Sequence, residues 1–161
     1  MSVADRLAEL GVSLPAVAAP VGAYVPAARS GALVYTSGQL PFVAGALPMA
    51  GAVGRAVTAE DAKGLARTAA LNAVAAVASL LAEETGEEPA AALDRVTRVV
   101  KVVGFVASDP TFTGQPGVVN GASELLGELF GDAGRHARSA VGVAALPLGA
   151  PVEVELVVET R

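Results

Sequence analysis

Arg138 heads the run Arg138-Ser139-Ala140-Val141-Gly142-Val143-Ala144, in which every second residue after the arginine is small. On a strand Arg138, Ala140, Gly142 and Ala144 share one face. The guanidinium therefore has room beside it, and another backbone, including that of a neighbouring subunit, can come close. A planar guanidinium grips a carboxylate through two parallel hydrogen bonds, which a lysine cannot match. The same arginine could instead pair with Glu153 or Glu155 across a hairpin. Those two glutamates alternate with Val152, Val154, Leu156 and Val158. If their face is covered, a carboxylate there is unfavourable unless paired or at work. Partial burial would raise its pKa toward the range of a general acid or base. If the face is wet, both glutamates simply solvate it. In Thr36-Ser37-Gly38-Gln39-Leu40-Pro41, Gly38 lets a ligand approach the backbone and Ser37 offers a hydroxyl, unless the segment is only a strand-ending turn. No G-x-S-x-G elbow and no neighbouring histidine accompany Ser37, which argues against a Ser-His-Asp hydrolase. His136, the single histidine, lies two residues before Arg138 and is either a proton-transfer or binding group or a surface loop residue.

The elements that must position these residues follow from pattern. Val3 to Leu10 predicts a short helix stopped by Gly11 and Pro15, followed by a connector from Leu14 to Pro20. Tyr24–Ala27 and Leu33–Ser37 predict two strands with Arg29-Ser30-Gly31 as the turn. Residues 41–57 read as a Gly/Pro/Ala-rich loop with a short strand near Ala52 to Ala56. Thr58 as N-cap, Asp61 three residues on and Gly86 as stop delimit a helix from about Ala59 to Glu84. Its buried face is Ala66, Ala70, Val74, Val77 and Leu81. Val96 to Val106 predicts a strand buried on both faces. Gly117 to Phe130 predicts a second helix with Val119, Ala122, Leu126 and Leu129 on one side. Arg138 to Ala145 and Val152 to Val158 predict two strands joined as a hairpin by Leu146-Pro147-Leu148-Gly149. The order implies an α+β chain, one mixed sheet with both long helices on one face.

Composition narrows the chemistry. A length of 161 residues suits one domain, with residues 1–20 as a helical extension. Hydrophobic residues make up 53 % but aromatics only 4 %, so the core is built from Ala, Val and Leu and gains from surface buried between subunits. With no cysteine and one histidine, thiolate chemistry, disulfides and the usual zinc sites are excluded within one chain, and no metal or cofactor is expected. A net charge of −5 with eleven scattered Lys and Arg residues argues against a nucleic-acid partner. The charged N-terminus does not read as a signal peptide, and the Ala69–Ala82 run is broken by Asn72 and Ser79, so a cytoplasmic protein without a membrane partner is expected.

Taken in order, Gly22-Ala23-Tyr24-Val25-Pro26, Tyr35-Thr36-Ser37-Gly38-Gln39-Leu40-Pro41, Arg138-Ser139-Ala140-Val141-Gly142-Val143, Leu146-Pro147 and Val152-Glu153-Val154-Glu155 resemble the RidA/YjgF imine-deaminase superfamily. The likeness runs from Val21 onward, and the N-terminal helix and longer 41–57 loop resemble a longer bacterial subgroup. It implies a chorismate-mutase-like α+β fold, with three subunits closing their sheets into a barrel and clefts between subunits. It also implies a cofactor-independent enzyme that hydrolyses enamines and imines to 2-keto acids and ammonia. Arg138 would bind the substrate carboxylate, and Glu153 would position or activate water with the Gly38 carbonyl. Tyr24, Ser37, Asn120 and Ala140 would line the cleft. Two positions depart from the family pattern: Ala140 stands where a cysteine is common, and His136 where a proline is common. The competing functions are a non-catalytic trimer binding small carboxylates or keto acids, and an endoribonuclease, a label the superfamily also carries.

Overall fold

The computed structural model describes residues 1–20 and 22–161, so Val21, where the resemblance begins, lies outside the described residues. Helix α1 (Val3–Glu9) opens on a reciprocal capping box between Ser2 and Asp5 and buries Val3 and Leu7. The Val3 N–H donates to the Asp94 carboxylate at 2.8 Å, and Arg6 donates to the Leu129 carbonyl at 3.3 Å, fastening α1 to the main core. A connector then leads to the hairpin of strands β1 (Ala27–Ser30) and β2 (Leu33–Thr36), turned at Gly31-Ala32. This is later than the Tyr24–Ala27 strand the sequence predicts. Arg29, expected in the turn, is instead held in β1 by both Glu84 oxygens and by Thr160 Oγ1 at 2.8 Å, partners remote in sequence.

Helix α2 (Ala59–Thr85) has the expected ends: Thr58 Oγ1 accepts from the Asp61 N–H at 3.1 Å, and Gly86 caps it in the left-handed region. It is long and apolar enough to cross a bilayer, yet most of it is buried inside the fold as a core helix. A short helix α3 (Pro89–Ala92), which the alanine-rich sequence did not single out, precedes strand β3 (Val96–Ala107). Helix α4 (Gln115–Phe130), strand β4 (Ala137–Val143) and strand β5 (Val152–Thr160) complete the chain. The strand expected near Ala52 reduces to isolated bridges from Val53 to Val57 and Ser108.

The five strands form one mixed sheet in the order β1-β2-β5-β3-β4, with β3 and β4 parallel. The hairpin expected between β4 and β5 is therefore absent: β3 lies between them, and the Pro147–Gly149 turn carries the chain past its end. Short turn residues look the same in sequence whether they join neighbours or strands one apart. Helices α2 and α4 cover one face, where Val102, Val106, Val152, Val154 and Leu156 are buried. Gly121 lets these helices meet, because a Cβ there would run into the Lys63 carbonyl. The other face carries half-buried Val103, Phe105 and Val157, with Tyr35 and Val141 exposed at 46 % and 45 %. Strand β3 is thus covered on one face by its own chain, not on both as the sequence predicts.

Candidate active site

Arg138 lies opposite Val102 in the β3–β4 ladder, so its side chain emerges on the helix-covered face, toward the start of α4. Three acceptors hold its guanidinium. Nη1 donates to Asn120 Oδ1 at 2.8 Å and to Ser123 Oγ at 3.2 Å, and Nη2 donates to the Pro116 carbonyl at 3.2 Å. Pro116, Asn120 and Ser123 are spaced four and three residues apart and so share one helix face. Of five guanidinium N–H groups, the Nε–H and one Nη2–H keep no acceptor among the described residues. A pair on those two nitrogens is a parallel fork that fits a carboxylate.

Ser123, which the sequence reading missed, connects His136 to this cluster. A carbonyl only accepts, so His136 Nδ1, 2.6 Å from the Gly134 oxygen, carries a proton. In the neutral ring Nε2 then accepts from the Ser123 hydroxyl at 2.9 Å. His136 is therefore part of the support beneath Arg138 and not a loose surface residue. The signal in the sequence was Ser123 standing one turn from Asn120, on the same side of α4 and beside its buried apolar face. Ala140 lies two residues further along β4, opposite Gly104 and half-buried.

Glu153 sits on the opposite face. It lies across from Phe105, whose parity in β3 opposes that of Val102. The edge of β2 brings Gly38 against it. Tyr35 faces Val157 and Gln39 bridges Val154, so one more residue is fitted on the β2 side than on β5. Thr36 Oγ1 accepts from the Leu156 N–H at 2.9 Å within this bulge. A Cβ at Gly38 would overlap the Glu153 carboxylate where it stands, so the glycine leaves room for this close approach. Ser37 donates its hydroxyl to the Val25 carbonyl at 2.6 Å and its N–H to the Pro26 carbonyl at 2.8 Å, holding the segment that bears Tyr24. Tyr24, Gly38, Phe42, Leu148 and Glu153 line a recess of about 200 Å³; Ser37 does not. Burial lifts the Glu153 carboxyl above its ordinary value, with the nearby Glu155 charge adding to the effect.

The predicted residues thus form two groups. Arg138, Asn120 and Ala140 stand on the helix side of the β3–β4 edge, and Tyr24, Gly38 and Glu153 surround a recess on the β2–β5 side. Neither Arg138 nor Glu153 has an ion-pair partner among the described residues. The alternative in which Arg138 pairs with Glu153 or Glu155 across a hairpin is ruled out within one chain, because β3 separates their strands. No cluster of His, Cys, Asp and Glu suited to a metal ion occurs among the described residues.

One mixed five-stranded sheet, helices on a single face and polar groups gathered at its strand ends make this an α+β protein of chorismate-mutase-like fold. The chain belongs to the YjgF family, described as "YjgF/chorismate mutase-like, putative endoribonuclease", whose model matches residues 4–160. Protein TCP17 of Trypanosoma cruzi is 46 % identical over 158 residues, covering 98 % of this chain and 93 % of that one. A crystal structure of a protein of unknown function from Agrobacterium tumefaciens is 43 % identical with a TM-score of 0.86, covering 99 % and 93 %. A structure described as a putative endoribonuclease from Shewanella oneidensis is 33 % identical with a TM-score of 0.89, covering 99 % of both chains.

Proposed function

We propose that this protein is a cofactor-independent deaminase that hydrolyses 2-imino acids at a site shared between two subunits of a trimer. The observation that carries the reading is the Arg138 fork: a guanidinium fixed by three uncharged acceptors, with two N–H groups left for a carboxylate. The fork fits the invariant end of a 2-imino acid. The carboxyl of Glu153, raised by burial and set beside the Gly38 backbone, suits a proton-transfer role. As carboxylate it takes a proton from water while the oxygen attacks C2. It passes that proton to the imine nitrogen, giving a carbinolamine, and then carries the proton of the new hydroxyl to the same nitrogen as the C–N bond breaks, so imine and water give keto acid and ammonia.

Arg138 and Glu153 lie on opposite faces of one sheet, and a second copy is what can bring the two groups together. The uncovered face with Tyr35, Phe105 and Val141 supports such an assembly, since burying it gains hydrophobic free energy. Tyr24 and Asn120 would line the joint cleft, Ala140 would leave room beside Arg138, and Ser37 would hold the Tyr24 segment. The test is ammonia and keto-acid release from 2-imino acids generated in situ by an amino-acid oxidase. Wild type is expected to accelerate release and Arg138→Ala is not. An Arg138→Ala variant as fast as wild type overturns the reading.

A second reading, a trimer that binds small carboxylates without turnover, is favoured by the fact that the Arg138 fork is complete without Glu153. Calorimetry detecting binding without accelerated release would establish it. The endoribonuclease label of the family finds no basic stripe here, with net charge −5, and intact RNA after incubation would remove it.

A further inference from the structure

Beside the Glu153 recess lies a second cavity, of about 420 Å³, which the reaction itself does not use. It is bounded by the Pro15–Ala19 connector, by Phe42, Ala44 and Gly45 of the long loop, and by Asn72 of α2. Ala18, Ala19 and Phe42 also line the recess, so the two spaces share a border of two methyl groups and one ring. At about 200 Å³ the recess is smaller than ordinary small-ligand pockets, which span roughly 300–1,000 Å³, whereas its neighbour falls within that span. The recess suits the reacting end of a small acid, and a longer side chain has to extend beyond it.

The polarity of the second cavity restricts what that side chain can be. Apart from Asn72, its lining residues are Pro, Ala, Val, Phe and Gly. Asn72 is only 9 % exposed. Its Nδ2 donates to the Leu40 carbonyl at 2.9 Å and the Phe42 carbonyl at 3.1 Å, and two carbonyl partners fix which way the amide points. Oδ1 remains an acceptor that no donor of the described residues reaches, in a residue that lines the cavity. An ionised side chain entering there would lose its hydration with no counter-charge. An apolar one carrying a single N–H or O–H would satisfy the Asn72 oxygen.

We infer that this cavity is the specificity pocket for the ligand's side chain, and that it takes apolar, ring-sized side chains with one distal hydrogen-bond donor. The N-terminal connector, through Ala16 and Val17, would then select the substrate. The inference rests on the reading of Arg138 and Glu153 as a site for 2-imino or 2-keto acids. Calorimetry on the full chain compares 3-(4-hydroxyphenyl)propanoate with propanoate, alongside release assays on the imines derived from tyrosine and alanine. The expected result is tighter binding of the phenolic acid by about tenfold or more. Ala16→Trp, which fills the second cavity, is expected to bring that ratio close to one. Val17→Phe provides the same test from the next residue, with far-UV circular dichroism confirming that each variant is folded. A wild-type ratio near one, or a ratio unchanged in both folded variants, overturns the inference. If the imines are not hydrolysed but the binding ratio holds, the pocket stands and the proposed reaction fails. If they are hydrolysed and the ratio is near one, the reverse is true.

Discussion

What distinguishes Arg138 from the arginines paired with glutamate is the neutrality of its three partners. Arg29, Arg67 and Arg95 each meet a glutamate, while Arg138 meets an amide, a hydroxyl and a carbonyl that orient it and leave its charge uncompensated. Glu153 is its counterpart: half-buried, without a cation partner among the described residues, and with its carboxyl lifted by burial first and by Glu155 second. The sign of the consequence follows. The folded chain keeps the Glu153 proton at pH values where the unfolded chain has lost it. Stability therefore falls as pH rises from the ordinary value of 4.5 through the raised one, and stays reduced above that window. Glu153→Gln removes this titration. It is expected to raise the melting midpoint over wild type at pH 7.5 and to do so much less at pH 4, while lowering imine turnover about 10²- to 10⁴-fold. Equal midpoint differences at the two pH values would contradict the assignment of a raised carboxyl. The sequence displayed Arg138 among small residues and Glu153 on an apolar strand, which is what marked both as candidates. It offered Ser123 only as a polar residue one turn from Asn120, because its role depends on His136 Nε2 and Arg138 Nη1, both outside the helix.

Elements with strong local signals came out where the sequence put them, notably α2 between Thr58 and Gly86. Elements defined by long-range partners did not. Strand β1 moved because Arg29 reaches Glu84 and Thr160, and the β4–β5 hairpin vanished because β3 inserts between the two strands. Strand alternation groups Ala140 and Gly142 with Arg138, and Glu155 and Val157 with Glu153, but does not say which side of the sheet each group takes. Which strand lies beside which is a matter of topology that alternation does not carry. Helix α4 supplies all three Arg138 acceptors, and its seat on α2 depends on Gly121. Gly121→Ala is expected to push the helices apart and to destabilise the fold by about 1–3 kcal/mol. It should also weaken carboxylate binding through displacement of Asn120 and Ser123. Thermal melting and calorimetry check the two effects, and a Gly121→Ala protein with the wild-type midpoint would show that the contact yields freely.

For the whole molecule, one chain keeps Arg138 and Glu153 on opposite faces of its sheet, which is what the proposed shared site requires. One helix layer covers one side of the sheet. The other side presents Tyr35, Phe105, Val141 and Val157 around Glu153 and Glu155, a surface that gains from a partner. A core with 4 % aromatic residues points the same way, since small side chains bury less area within a single chain. The central claim is that Arg138 of one subunit and Glu153 of its neighbour act on one substrate. The most direct measurement mixes Arg138→Ala and Glu153→Gln proteins, each inactive alone, lets their subunits exchange, and follows ammonia release from a 2-imino acid. In an equal mixture, roughly a quarter of wild-type activity should return, because each site needs an intact residue from both neighbours. Exchange that yields mixed oligomers with no recovered activity would contradict the account.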